Sequence, residues 1–126
     1  MKLYHGSPTK LKTIKPKQAR GLNKFENKKA VFLTKTFKHA ALYAIGKTLK
    51  GKAIFGVIPN KLIIVGNKKP KSGYVFEVEI ESPIKGPRNQ FASKKQLIPK
   101  NSKKVYPKDY KIIFVQNKTE LMRELK

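Results

Sequence analysis

The segment Leu3-Tyr4-His5-Gly6-Ser7-Pro8 sets an imidazole beside a glycine at the end of a short apolar run. A histidine at a strand end can donate from one ring nitrogen and accept at the other. The glycine that follows has no Cβ, so a flat ligand can reach its backbone N–H and C=O. Ser7 can bond the same ligand or its own turn. Such a grouping suits a carboxamide-bearing ring next to a ribose. A turn glycine after a solvent-facing histidine explains the dipeptide equally simply, and the dipeptide alone favours that turn.

A second segment poses the same choice, and taken alone it favours plain packing. The run "AVFLT" (residues 30–34) leads into an Ala-rich stretch that carries Tyr43. Small residues let a helix lie close to a sheet, and an aromatic one turn further on can wall a pocket. Plain amphipathic packing, with Tyr43 at the core edge, accounts for the same pattern. His39 lies in the same stretch and reads as a surface residue near lysines. Glu77, Glu79 and Glu81 alternate along "YVFEVEIES" (74–82) and read as a solvated face balancing lysines.

These residues need elements to hold them. "KLYH" (2–5) reads as a strand broken at Gly6-Ser7-Pro8, and residues 9–29 as an irregular basic loop. "KAVFLT" (29–34) reads as a strand. In 35–49, Phe37, Ala40, Ala41, Ala44 and Ile45 recur at helical spacing, with Thr34 or Thr36 to cap the start and Gly51 to end it. "AIFGVI" (53–58) and "LIIVG" (62–66) flank a Pro59-Asn60 turn. Residues 74–82 alternate as a half-exposed strand, with Val75 the exception. "PIKGPRN" (83–89) is a loop, "QFASKKQLIP" (90–99) carries one or two short strands, and "YKIIFV" (110–115) is a final strand. Asn117 and Glu120 have capping-box spacing before "LMREL". The sum is an early helix, a short late helix and six or seven strands: an α+β domain of mainly antiparallel sheet.

The whole chain, 1–126, fits one domain. Its modest core argues against a large multi-site enzyme. Thirty Lys and Arg face seven Asp and Glu, a net charge of +23, and only Arg20, Arg88 and Arg123 are arginine. A field of that size attracts polyanions. Nucleic acid is the leading partner, with an anionic membrane surface behind it; a composition that merely keeps the chain soluble is the alternative. With no cysteine, two histidines and one aspartate, the sequence offers no evident metal site. It has no apolar run of about 18 residues and no signal-peptide core at its start. A cytoplasmic, soluble protein is the resulting expectation.

Taken in order, "LYHGSPTKLKTIKPK", "KAVFLTKTFKHAALYA" and "NQFASKKQLIPK" resemble the ADP-ribosyltransferase superfamily. The likeness is to its diphtheria-toxin and poly(ADP-ribose) polymerase branch, and to small bacterial and archaeal relatives of the rifampin-modifying type. It spans roughly residues 3–99 through short, degenerate motifs. It implies a compact ADP-ribosyltransferase-like fold with a split sheet, and NAD as substrate. His5 then holds the nicotinamide-side ribose, Gly6 pairs through its backbone with the carboxamide, and Ser7 lines the pocket. Tyr43 stacks on the nicotinamide, while the strand tyrosine of the polymerases falls near Val31-Phe32, where Phe32 is the only aromatic. Arg20 or Lys17 contacts the pyrophosphate. Gln90, in Asn89-Gln90-Phe91, takes the place of a catalytic Glu; it can hydrogen-bond but cannot act as a base. Asp109 is the second choice for that carboxylate. The resemblance thus implies an NAD-dependent ADP-ribosyltransferase acting on nucleic acid or on a protein bound to it. Its alternatives are a non-catalytic nucleic-acid-binding module of the same fold, or a basic structural protein with no pocket.

Overall fold

The longest ladder in the molecule joins the histidine strand to the acidic one. In the computed structural model, which describes residues 1–18, 25 and 28–125, β1 (Lys2–Ser7) pairs antiparallel with β6 (Gly73–Glu79) from Lys2↔Glu79 to Ser7↔Tyr74. Beyond β6 lies the edge strand β9 (Asn101–Val105). On the other side of β1 comes β3 (Lys29–Thr34), then β8 (Gln90–Ser93) and β7 (Ile84–Lys85). β2 (Lys17–Gln18) adds to the start of β3, completing a seven-stranded sheet. A second sheet holds three strands in the order β10 (Ile112–Val115), β5 (Lys61–Val65), β4 (Phe55–Ile58). β10 runs parallel to β5; every other strand pairing is antiparallel.

Helix α1 (Phe37–Lys47) fills the space between the two sheets. It buries Ala40, Ala41, Leu42, Ala44 and Ile45 against Val75 and Val105 of the large sheet and Val57, Leu62 and Ile64 of the small one. A helix that is apolar nearly all round is stable only when enclosed in this way. Two glycines bring it close. A Cβ on Gly6 would sit 2.1 Å from the Ala40 carbonyl oxygen, and one on Gly73 would sit 2.8 Å from that of Ala44.

The other face of the large sheet carries a second core of Leu3, Val31, Leu33, Phe76, Val78 and Phe91. Ile14 and Leu97 close it, exchanging two backbone bonds of 2.8 and 2.9 Å. Val75 and Phe76 therefore serve different cores. The expected half-exposed strand is buried on both faces here, and only towards Glu77 and Glu79 does it open to solvent.

Several boundaries differ from the sequence reading. The stretch 9–29 contains β2 and the fully buried Ile14. The loop 83–89 contains β7. β9 has no apolar alternation and forms because the edge of β6 offers it partners. Ten strands are present among the described residues, two of them, β2 and β7, of only two residues. Thr36, not Thr34, caps α1: its Oγ1 accepts from the His39 N–H at 3.2 Å, while Thr34 Oγ1 donates to the Thr36 carbonyl. Asn117 caps α2 (Lys118–Glu124) as expected, and Glu120 returns the bond to the Gln116 N–H. α2 then packs Leu121 and Leu125 on Ile63 of the small sheet. Among the described residues no helix is long and apolar enough to cross a membrane.

Candidate functional site

The large sheet forks at the strand that carries His5. β1 and β3 pair at a single position, Tyr4↔Thr34, and then part. β3 meanwhile pairs fully with β8, from Val31↔Ser93 to Thr34↔Gln90, and takes β2 at its start through Lys17↔Ala30. Tyr4 turns to α1, where it meets Phe37 edge-on at 5.8 Å. Leu3 turns to the second core. His5 follows Leu3 by strand alternation, and its ring reaches across the fork.

There, His5 Nδ1 lies 2.8 Å from the Phe32 carbonyl oxygen. A carbonyl only accepts, so Nδ1 carries the proton and Nε2 is the acceptor nitrogen. Burial pushes the His5 pKa down to about 3, reinforced by the charge of Lys47 and, less, of Lys17. The bond to Phe32 opposes this but does not overcome it. His5 is therefore neutral at any physiological pH, with its tautomer fixed. Such a group can accept from a hydroxyl, and it carries no positive charge to bind an anion.

Gly6 and Ser7 are already engaged. The Gly6 carbonyl accepts a 2.7 Å bond from Lys47 Nζ, at the last residue of α1. A ligand carboxamide using that carbonyl would have to share it with Lys47. Ser7 is buried, and its Oγ accepts from the Thr9 N–H, so it organises the turn that leaves β1.

A second polar group stands where α1 meets β8. Gln90 Nε2 donates to the Tyr43 hydroxyl at 2.7 Å. His39 stacks on the Tyr43 ring, centroids 5.2 Å apart and planes 28° from parallel. His39 was expected at the surface; it is 2% exposed, its ring held against Tyr43. Burial, with the charge of Arg88, pushes its pKa down to about 4. Gln90 is 7% exposed. Two buried atoms of this group have no hydrogen-bond partner, His39 Nε2 and Gln90 Oε1. The preceding residues, Arg88 and Asn89, hold left-handed φ of 54° and 61°. That conformation is uncommon for Arg. It is fixed by bonds on either side, Arg88 to the Leu125 carbonyl and the Asn89 carbonyl to the Lys35 N–H.

The structure thus joins Tyr43 to Gln90, and His5 to Phe32. Phe32 is half-buried and meets Phe25 edge-on at 5.9 Å. Arg20 lies outside the described residues. Asp109 sits in a 3-10 turn, Pro107–Asp109, before β10 in the small sheet, away from both polar groups. Glu79 and Glu77 pair with the N-terminal ammonium and Lys2 at the far end of β1. Among the described residues no carboxylate shifts either histidine. The described residues contain no group of three acids or histidines able to hold a metal ion.

Sequence reasoning missed two members, His39 and Lys47. His39 falls four residues before Tyr43, the spacing that stacks two rings on one helix face. Lys47 carried no comparable signal, being one lysine among many. Neither a family model, nor a curated protein, nor a solved structure matches the chain.

Proposed function

We propose that the protein is an NAD-dependent ADP-ribosyltransferase-like domain acting on nucleic acid or on a protein bound to it. The observation that carries the reading is the fork between β1 and β3 with a neutral His5 across it. Its Nε2 suits a ribose hydroxyl as an acceptor, and the parted strands leave backbone edges for a flat ring. Tyr43 lies on the helix whose Ala40 and Ala44 pack on Gly6. The described part of the site supplies positioning: it would hold the ribose and the leaving nicotinamide while an acceptor captures C1′.

The nucleic-acid component rests on charge and on two surface features. Lys15, Lys29 and Lys94 line an open groove of about 460 Å³ with Pro16 and Gln96. Elsewhere, the exposed ring of Tyr106 has Lys104 and Lys108 over it at 5.5 and 5.8 Å. An aromatic platform between lysines is the arrangement on which single-stranded bases stack.

Nicotinamide release from NAD tests the proposal. Wild type should release it with an RNA, DNA or protein acceptor, and His5→Ala should lose at least about tenfold, the equivalent of one hydrogen bond near 1.4 kcal/mol. Equal silence of both proteins across a broad acceptor panel overturns the enzyme. A second reading, a nucleotide-binding module without turnover, is favoured by Gln90, which is uncharged and bonded to Tyr43. Calorimetry that shows NAD binding with no release supports it.

A further inference from the structure

β9 is a strand whose sequence packing does not explain. It lies at the edge of the large sheet, paired with β6 alone, and buries only Val105. Residues 100–111, which contain it, hold five lysines and one acid, Asp109. We infer that the β9 edge and Tyr106, which continues it, form a strip for single-stranded nucleic acid, with an unpaired base stacked on Tyr106 and the flanking phosphates held by Lys104 and Lys108. The strip rests on the nucleic-acid half of the proposed function and not on the NAD half.

Local geometry builds it. Tyr106 has extended backbone, φ −118° and ψ 139°, as a residue before proline prefers. Lys104 and Tyr106 therefore share a face through the two-residue period of a strand. Pro107 then opens the 3-10 turn that returns Lys108 to the same ring. The two ammonium groups lie 5.5 and 5.8 Å from the ring centroid, and Tyr106 remains 42% exposed. Among the described residues neither lysine has a carboxylate partner; the ion pairs join Glu79 to the N-terminus, Glu77 to Lys2 and Glu124 to Lys61.

Lysines on an open sheet edge also guard it against pairing with another chain. That explains the charges but not the exposed ring among them, which a guarded edge does better without. A free base offers an open π-face to such a ring, and stacking tolerates any base. Bases inside a duplex are already stacked on both sides, so the ring selects single strands. An ammonium over an exposed ring is held weakly, so an entering base displaces it towards a phosphate. The groove lined by Lys15, Lys29 and Lys94 has no aromatic wall. It supplies charge alone, which a duplex satisfies as well as a single strand.

Fluorescence anisotropy of a labelled oligothymidylate of about a dozen residues, within the usual site size, tests the strip with the full chain at physiological salt. Wild type should bind it more tightly than a duplex of equal length. Tyr106→Ala and Tyr106→Leu should each weaken single-strand binding about tenfold or more, the value of one stacked base. Tyr106→Phe, which keeps the ring, should stay within about twofold of wild type. Lys104→Gln should make the plot of log affinity against log salt shallower by about 0.7, one phosphate contact on a single strand. Should Tyr106→Ala not fold, Tyr106→Leu carries the same comparison. Single-strand binding unchanged in the folded Tyr106 variants overturns the strip and leaves the guarded edge. Binding that falls only when Lys15, Lys29 and Lys94 are changed together to Gln also overturns it, in favour of the groove. Phosphatidylserine vesicles that bind through Tyr106 while the oligonucleotide does not overturn it in favour of a membrane surface. The transferase is judged separately. Oligonucleotide held through Tyr106 with no nicotinamide release keeps the strip and sinks the transferase. Nicotinamide release that depends on His5, with no oligonucleotide binding through Tyr106, does the reverse.

Discussion

Gln90 and Tyr43, 47 residues apart in the chain, are joined by a 2.7 Å hydrogen bond from the Gln90 amide to the phenol oxygen. The bond ties the first residue of β8 to the second turn of α1. It also defines what Gln90 can do. An amide held this way orients the phenol, and it offers a neutral oxygen rather than a charge to anything that enters.

Removing the phenol oxygen should leave the Gln90 amide buried with no partner. Tyr43→Phe is expected to cost about 1–3 kcal/mol of stability, the range for an orphaned polar group. Tyr43→Phe with Gln90→Leu should recover part of that loss, because both partners are then apolar. Urea denaturation of the wild type, the two single variants and the double variant measures the coupling. Additive losses would show that the bond contributes nothing.

Gln90→Glu puts a carboxyl where burial favours its neutral form. Its folded pKa should lie above the unfolded value. Stability is then close to wild type below the unfolded pKa, and is lost as pH rises through the folded one. Melting curves from acid to neutral pH check this sign. If the missing carboxylate is what limits transfer, the same variant should gain nicotinamide release.

Gly6→Ala should be among the most damaging single-methyl additions. The new Cβ meets main chain, the Ala40 oxygen at 2.1 Å and the Ala44 nitrogen at 2.7 Å, so neither neighbour can rotate away. About 3 kcal/mol or more is expected, at or above the upper end for overpacking. A midpoint shift in urea at unchanged slope would report it. A loss below about 1 kcal/mol would mean that α1 stands further from β1 than the structure has it.

Proton uptake on unfolding should approach two near pH 5 from the histidines alone. His5 and His39 are held near 3 and 4 in the fold, below their ordinary 6.5, so both are neutral when folded and charged when unfolded. The unfolded chain then binds more protons, and stability rises with pH across this window. The contribution is complete above pH 6.5 and is lost as pH falls towards 4 and then 3. His39→Phe should flatten the slope by about one proton. Lys47 acts in the same direction at the alkaline end, between about 8 and its ordinary 10.5.

Much of the architecture was legible because periodicity reports burial. The 3.6-residue spacing of Phe37, Ala40, Ala41, Ala44 and Ile45 marked α1, and "LIIVG" and "YKIIFV" marked β5 and β10. The α+β class and the antiparallel bias followed. β9 was invisible because "NSKKV" buries only its last residue. Ile14 was missed because an isolated apolar residue in a lysine-rich stretch carries no period, although Leu97 holds it in the core.

The sequence by itself determined which residues could do chemistry: a histidine before a glycine, a tyrosine on a small-residue helix, a glutamine before an aromatic. It determined too that the charge would be overwhelmingly positive. Only the tertiary structure decided how these are used. Strand pairing parts β1 from β3 and sets the His5 tautomer against Phe32. The approach of α1, which Gly6 permits, sinks His39, joins Tyr43 to Gln90 and brings Lys47 to the Gly6 carbonyl. The reason is physical. Side-chain type fixes what bonds a group can form, but burial and neighbours far along the chain set its protonation, its partner and what it has left to offer a ligand.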